Sequence, residues 1–217
     1  MKPTIQAYQY VFIRKEVEQL LNTYSSVNDQ KTVKTVQAFA EERISQLFPE
    51  NPFEITAFLK EILDIRLTKA KAEKALLDLK VFIEPFQQPE KAQLEKVFKK
   101  VKKLPLPEWG ALDLYEHTYV GWNDPASQRK YLTFYQDGKL TGISGRLSPN
   151  VSKGICSICQ KTSSVALFLA TTKASSDGTY TKKGNYICQD SSSCNHQLSD
   201  YQQFQDFIQL VRFQDKK

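Results

Sequence analysis

No apolar run in this 217-residue chain approaches the ~20 residues of a membrane-spanning helix. Nor does Met1-Lys2-Pro3-Thr4-Ile5-Gln6 open an apolar signal segment. These absences predict a soluble, cytoplasmic protein, and they weigh against disulfides, which need an oxidising compartment. Catalytic signatures are also missing. There is no Gly-rich loop to cradle phosphate, no His-Glu-x-x-His and no Gly-x-Ser-x-Gly elbow. Histidine is limited to His117 and His196, and His117 has no nucleophile pattern beside it, so it reads as a strand residue rather than a base. A binding protein is expected rather than an enzyme. Internal repeats and low-complexity tracts are absent.

Cysteine is scarce and confined. The four present fall in the last third, as Cys156-x-x-Cys159, then Cys188 and Cys194. A Cys-x-x-Cys turn brings two thiolates to one tetrahedral ion, and a second pair closes the site. Residues 161–187 between the pairs are long enough for the β-hairpin that separates ligand pairs in small zinc modules. The second pair, Cys-x5-Cys, is looser than the usual spacing, and His196 stands close enough to substitute as a ligand. Two disulfides or four buried thiols are the competing readings. Four protein ligands leave no open coordination position, so one structural Zn2+ is expected, not a catalytic one. Cys-x-x-Cys, a hairpin, then a second pair leading into a helix is the order of a treble clef, although the expected closing helix starts a few residues after Cys194.

The formal net charge is +6 and the pI about 9.0. The visible basic concentration is Lys96, Lys99, Lys100, Lys102 and Lys103. That run either grips phosphate or an acidic protein face, or is a solvated helix face.

The first half reads as helices. Apolar spacing predicts one over 5–24. A second, capped by Asn28 or Asp29, turns Val33, Val36, Ala40, Ile44 and Leu47 to one face. A third starts at Asn51-Pro52 with Phe58, Ile62 and Ile65 inward, and Thr68 caps a fourth running to about Ile83. Residues 1–84 are expected to form a helical bundle. Residues 85–217 are expected to form an α/β domain, with the treble clef at about 150–217. Gln88-Pro89 opens a lysine-lined helix with Leu94, Val97, Phe98 and Val101 inward. Residues 104–107 force an extended path. Strands follow at 117–122, 130–135, 139–147, 165–171 and 185–188, with hairpin turns at Asp137-Gly138 and Asp177-Gly178. Ser199 or Asp200 caps a last helix through Phe213, with Tyr201, Phe204, Ile208 and Val211 inward and Phe207 at the border. Leu210 and Phe213 fall outside that stripe and would dock a partner or pack on the bundle. Tyr186 shares a strand face with Cys188, so it either covers the metal or, with Lys183, forms an exposed aromatic and cationic anchor. The fold class expected is α+β.

Four segments carry a resemblance: Val97-Phe98-Lys99-Lys100-Val101-Lys102-Lys103, Val120-Gly121-Trp122-Asn123, Ala126-Ser127-Gln128-Arg129-Lys130-Tyr131, and the four-cysteine stretch. In this order they resemble the elongation factor G-binding proteins, which include fusidic-acid resistance proteins, over nearly the whole chain. The resemblance implies a helical bundle joined to a zinc-bearing α/β domain. It makes Cys156, Cys159, Cys188 and Cys194 the ligands and removes His196 from the set. It implies a contact surface for elongation factor G at Ile155, Lys183, Tyr186 and Phe207, with Ile155 standing where phenylalanine is expected. The implied activity is target protection: the factor, trapped on the ribosome by fusidic acid, is bound by a monomeric protein and released without drug chemistry. The rival expectations are a ribosome- or RNA-binding zinc protein using the lysine helix, and an enzyme that alters the antibiotic.

Overall fold

The computed structural model describes residues 4–50, 52–99, 101, 103–174 and 180–212. Short polar side chains set the helix starts of the first half. Gln6 and Gln9 form a capping box before α1 (Ala7–Ser26). The Asp29 carboxylate accepts from the backbone N–H groups of Lys31 and Thr32 at 3.3 and 3.0 Å and opens α2 (Gln30–Gln46). Pro52 precedes α3 (Phe53–Ile62), and the Thr68 hydroxyl caps α4 (Lys69–Lys80). Asn51, expected at the start of α3, lies outside the described residues. The four helices share a core of Ile13, Val17, Leu20, Ala40, Ile44, Ile55, Phe58, Ile62, Leu76 and Leu79. Ile65, expected inward, lies beyond the end of α3 and is 55% exposed. The fourth helix stops at Lys80, short of the expected 83, because Ile83 is used differently. The Ile5 N–H donates to Phe82 O and Glu84 N–H donates to Ile5 O, which ties the first described residues to the end of the bundle.

The chain divides into two compact units, Met1–Glu84 and Pro85–Lys217. In the second, α5 (Lys91–Val97) begins at a Glu90–Gln93 capping box and buries Leu94. It ends earlier than the lysine run. Phe98 leaves the helical region at φ −103°, ψ 43°, and inserts edge-on against Trp122 and Tyr131 at centroid distances of 5.8 and 5.4 Å. Burial of that ring overrides helix continuation, so Lys99 and Lys103 lie beyond the helix rather than on its face. Lys100 and Lys102 lie outside the described residues.

A five-stranded antiparallel sheet follows in sequence order: β1 (Val120–Asp124), β2 (Arg129–Gln136), β3 (Lys139–Ile155), β4 (Thr162–Ala174) and β5 (Tyr180–Cys188). Asp137 and Gly138, at φ 51° and 71°, make the tight β2–β3 turn that the Asp-Gly pair predicts. The long β3 pairs with β2 through its first half and with β4 through its second, with a register break between Leu147 and Val151. Pro149, which has no N–H to give a ladder, sits in that break. The Asp177-Gly178 turn lies outside the described residues. His117, expected in a strand, is buried just before β1.

One sheet face carries Phe86, Phe98, Trp122 and Tyr131. The other receives α7 (Tyr201–Val211), capped by Asp200. Phe204 stacks on Tyr119 at 5.0 Å and meets Phe134 edge-on at 5.2 Å, and Phe207 packs on Phe168 at 5.9 Å. Phe204, Phe207, Ile208 and Val211 are all buried, so this helix spends its apolar stripe on its own sheet. Tyr201 is half-buried and Leu210 is exposed; Phe213 lies outside the described residues. No helix among the described residues is long and apolar enough to cross a membrane.

At Gly142 a Cβ would run into Val97 and the Phe98 ring, which rest directly on the β3 backbone. Gly142→Ala should therefore destabilise the second unit by about 1–3 kcal/mol through overpacking. Urea unfolding followed by tryptophan emission checks this directly, because both tryptophans, Trp109 and Trp122, belong to that unit.

Candidate metal centre and partner surface

Cys156 and Cys159 sit on a knuckle at the end of β3. The Gln160 N–H donates to Cys156 O and the Cys156 N–H to Lys161 O, at 2.9 and 3.0 Å, and Gln160 takes a positive φ of 55° to close the turn. Cys188 ends β5, in register with Val165 of β4. Cys194 lies on a short helix, α6 (Ser191–Asn195), whose start is fixed by the Asp190 carboxylate accepting from Ser192 and Ser193 N–H. The closing helix expected a few residues after Cys194 is preceded by α6, which the apolar pattern does not predict. The Asp190-Ser191-Ser192-Ser193 cap was the available signal.

Every one of the four thiols is buried and free of disulfide. Cys156 Sγ is 3.7 Å from Cys194 Sγ, Cys159 Sγ is 3.8 Å from Cys188 Sγ, and the four lie within 4.8 Å of one another. A disulfide would require about 2.0 Å. Four thiolates around zinc at ~2.3 Å stand ~3.8 Å apart, which is the spacing seen. The N–H groups of Ile158 and Cys188 each point at Cys156 Sγ at 3.3 Å, as suits a thiolate. Hydrogen bonds from the other three cysteines pull the Cys156 thiol far below its ordinary range, and the same contacts push Cys194 well up. The sulfurs cannot all ionise on their own. A divalent cation resolves that conflict, and the all-sulfur donor set fits one structural Zn2+. His196 is 46% exposed at its side chain, with Nε2 2.6 Å from Glu116 Oε2, and it stands outside the sulfur cluster.

Side chains before and on β1 and β2, at the other edge of the sheet, hold the segment that carries Cys194. Asn195 is buried: its Oδ1 accepts from Thr118 and Tyr119 N–H, and its Nδ2 donates to Tyr119 O and Ser191 O. Gly121 lies so close to Ser191 that a Cβ there would collide with the Ser191 hydroxyl and Leu132. His117 is buried too, with Nδ1 2.7 Å from Asp113 O and Nε2 3.4 Å from Ser192 Oγ; burial lowers its pKa. The Lys130 ammonium is 1% exposed and donates to Asn123 Oδ1 and Gln189 O at 3.0 and 2.8 Å. Burial drives its pKa down to about 8, while the negative charge of nearby Cys194, Asp190, Cys188 and Cys156 pulls the other way. Asn195 and Lys130 escaped the sequence reading, because nothing in a lone polar residue marks it as buried.

The four residues expected at a partner surface divide. Ile155, next to Cys156, is 65% exposed. Lys183 is exposed on β5, and Tyr186 is 46% exposed rather than closed over the sulfurs. Phe207 departs from expectation: at 3% exposure it is a core residue under the sheet, because α7 needs that ring against Phe168. Strand register puts Ile155 and Lys183 on the face that α7 covers and Tyr186 on the opposite face with Leu167. They converge only around the free edge of β5 and the knuckle. Both main-chain groups of Tyr186 are already engaged, its carbonyl accepting from Ser157 N–H and its N–H donating to Asn185 Oδ1.

Residues 4–87 match the family model of the elongation factor G-binding protein, N-terminal, and residues 94–208 match the FBP C-terminal treble-clef zinc-finger. A solved structure described as the fusidic acid resistance protein FusC is 43% identical, with a TM-score of 0.90 over 98% of this chain and 99% of that one. None of the curated proteins compared with the chain matches it.

Structural zinc contributes on the order of 10–16 kcal/mol in small zinc fingers. Native protein should therefore yield one zinc per chain by metal analysis. Chelation, or Cys156→Ser, should expose Trp122 and red-shift tryptophan emission while much of the helical far-ultraviolet dichroism survives. A metal-free native protein with unshifted emission would contradict the assignment.

Proposed function

Because the chain belongs to the elongation factor G-binding protein family, we propose that it binds translation elongation factor G and releases it from fusidic-acid-stalled ribosomes by target protection. The observation that carries this reading is the full-length likeness to the fusidic acid resistance protein FusC at 43% identity. The chemistry proposed is binding alone, which accords with a metal site whose four protein ligands leave no position for water or substrate.

The surface offered to the factor is the β5 edge and the adjoining knuckle, with Ile155, Lys183 and Tyr186 as contacts. The backbone of Ile155 and Tyr186 is held beside Cys156 and Cys188, and Lys183 by its pairing with Ala170, so little ordering entropy is lost on docking. Tyr186 supplies a large amphipathic ring, and Lys183 supplies a cation beside it. Since the Tyr186 peptide groups are occupied within the chain, recognition there runs through side chains rather than through strand addition. Phe207 acts from beneath, by placing α7 against the sheet. The net charge of +6 speeds encounter with an acidic partner.

A second reading rests on one observation. A groove of about 840 Å³ is lined by Lys99, Lys103 and Arg129 together with Tyr131, Ser127 and Val101. Its cations suit phosphate, and RNA binding there would weaken steeply with salt and would not require the factor.

Two measurements separate these readings. Tyr186→Ala should weaken factor binding by ~2 kcal/mol, about thirtyfold, in titration calorimetry without loss of folding. Phe207→Ala should instead lower the stability of the second unit by ~3–5 kcal/mol, as a core truncation. Full affinity in Tyr186→Ala would move the interface elsewhere, with the cationic groove the next candidate.

The mechanism has its own test. A binder changes the fate of a stalled complex only if it prefers the state that leaves the ribosome. Substoichiometric protein should therefore accelerate the departure of labelled factor from drug-stalled ribosomes over many turnovers, with the drug recovered intact. Binding without faster departure would reject release as the activity, and recovery of altered drug would reject target protection.

A further inference from the structure

A lysine with 1% of its surface exposed needs a reason to stay inside. Lys130 lies on β2 opposite Asn123 of β1, and its ammonium reaches across to the segment that joins Cys188 to Cys194. Two donors converge on the Gln189 carbonyl: Lys130 Nζ at 2.8 Å and Asn123 Nδ2 at 3.1 Å. The Asn123 amide is oriented for this, since its Oδ1 accepts from Lys130 at 3.0 Å. Gln189 itself is pinned through its N–H to Ser164 O at 2.9 Å. No carboxylate bonds this ammonium among the described residues. The Asp190 carboxylate also acts on the ammonium through its charge, but its oxygens bond the N–H groups of Ser192 and Ser193.

A further counter-charge stands one residue beyond Gln189, at Cys188. Four thiolates around one Zn2+ leave a net charge of about −2 in the protein interior. An uncompensated buried charge of that size is costly, whereas a cation a few ångströms off recovers much of the cost at low local dielectric. The carbonyl that the ammonium holds belongs to Gln189, bonded directly to the ligand Cys188. We propose that Lys130 is the internal counter-cation of the zinc centre: a buried ammonium that offsets the charge of the metal tetrathiolate, raises its affinity for zinc, and orients the Cys188–Cys194 segment through Gln189. The same pairing explains why the lysine tolerates burial. The metal site and the lysine each supply what the other lacks.

The test separates charge from hydrogen bonding and from packing. Lys130→Gln keeps an N–H donor for Gln189 O but removes the charge, and Lys130→Arg keeps the charge on a different shape. Zinc affinity is read by competition of the full chain against a chromophoric chelator. Lys130→Gln should lose ~10–100-fold in zinc affinity, the range typical of outer-sphere partners, and Lys130→Arg should recover most of that loss. Wild-type affinity in Lys130→Gln would overturn the proposal, and so would an arginine variant as weak as the glutamine one, which would reduce Lys130 to packing. Should either variant fail to fold, the wild-type protein still decides. In zinc-loaded, 15N-lysine-labelled protein, one Nζ should resonate as a charged ammonium with slowly exchanging protons. Its resonance should disappear in the Lys130→Gln spectrum or, if that variant is lost, be assigned by contacts to Asn123. A neutral amine at that position would overturn the proposal.

Discussion

Four sulfurs held within 4.8 Å of one another inside a protein repel as thiolates, and a cation among them removes that conflict. Much of the second unit is arranged around that demand. The knuckle after β3, the last residue of β5 and the short α6 meet at the four sulfurs. Asn195, Gly121 and Lys130 then join this meeting point to β1 and β2 by hydrogen bonds and close backbone approach. Zinc is thus a tie between the β1–β2 and β4–β5 sides of one sheet, rather than the centre of a separable finger.

This arrangement gives physical content to the segments by which the chain resembles its family. In Val120-Gly121-Trp122-Asn123, Gly121 admits Ser191 of α6, Trp122 stacks on Tyr131 at 5.3 Å, and Asn123 reaches Gln189. The segment ending Lys130-Tyr131 provides the buried ammonium and the ring that receives Phe98. Motifs far from the cysteines in sequence prove to be its supporting shell in space.

What was legible in the sequence was local. Asp29, Thr68 and Asp200 cap helices where their side chains said they would, Asp137-Gly138 turns the β2–β3 hairpin, and the Cys-x-x-Cys spacing announces a metal. The departures are places where tertiary packing overrules a local signal. Phe98 ends a helix because its ring belongs between Trp122 and Tyr131, and the lysine face expected beyond it is not formed by the described residues. The strand expected at 139–147 passes through an irregularity after Leu147 and continues to Ile155. Phe207 sat at the border of the apolar stripe, and only the width of the sheet beneath decides that it is inside. Burial of Lys130 and Asn195 depends on partners more than fifty residues away, which no window of sequence contains.

The position of the metal relative to the β4–β5 hairpin has a mechanical side. Cys159 stands just before β4 and Cys188 ends β5, so the ion locks the mouth of the hairpin, at the end opposite its connecting segment. With the metal bound, the strand ends at that mouth would be tied through sulfur as well as through the ladder, which keeps its register up to the irregularity between Thr171 and Lys173. An edge strand, ordinarily the easiest part of a sheet to pull away, is here held at its last residue by the metal site as well as by its ladder.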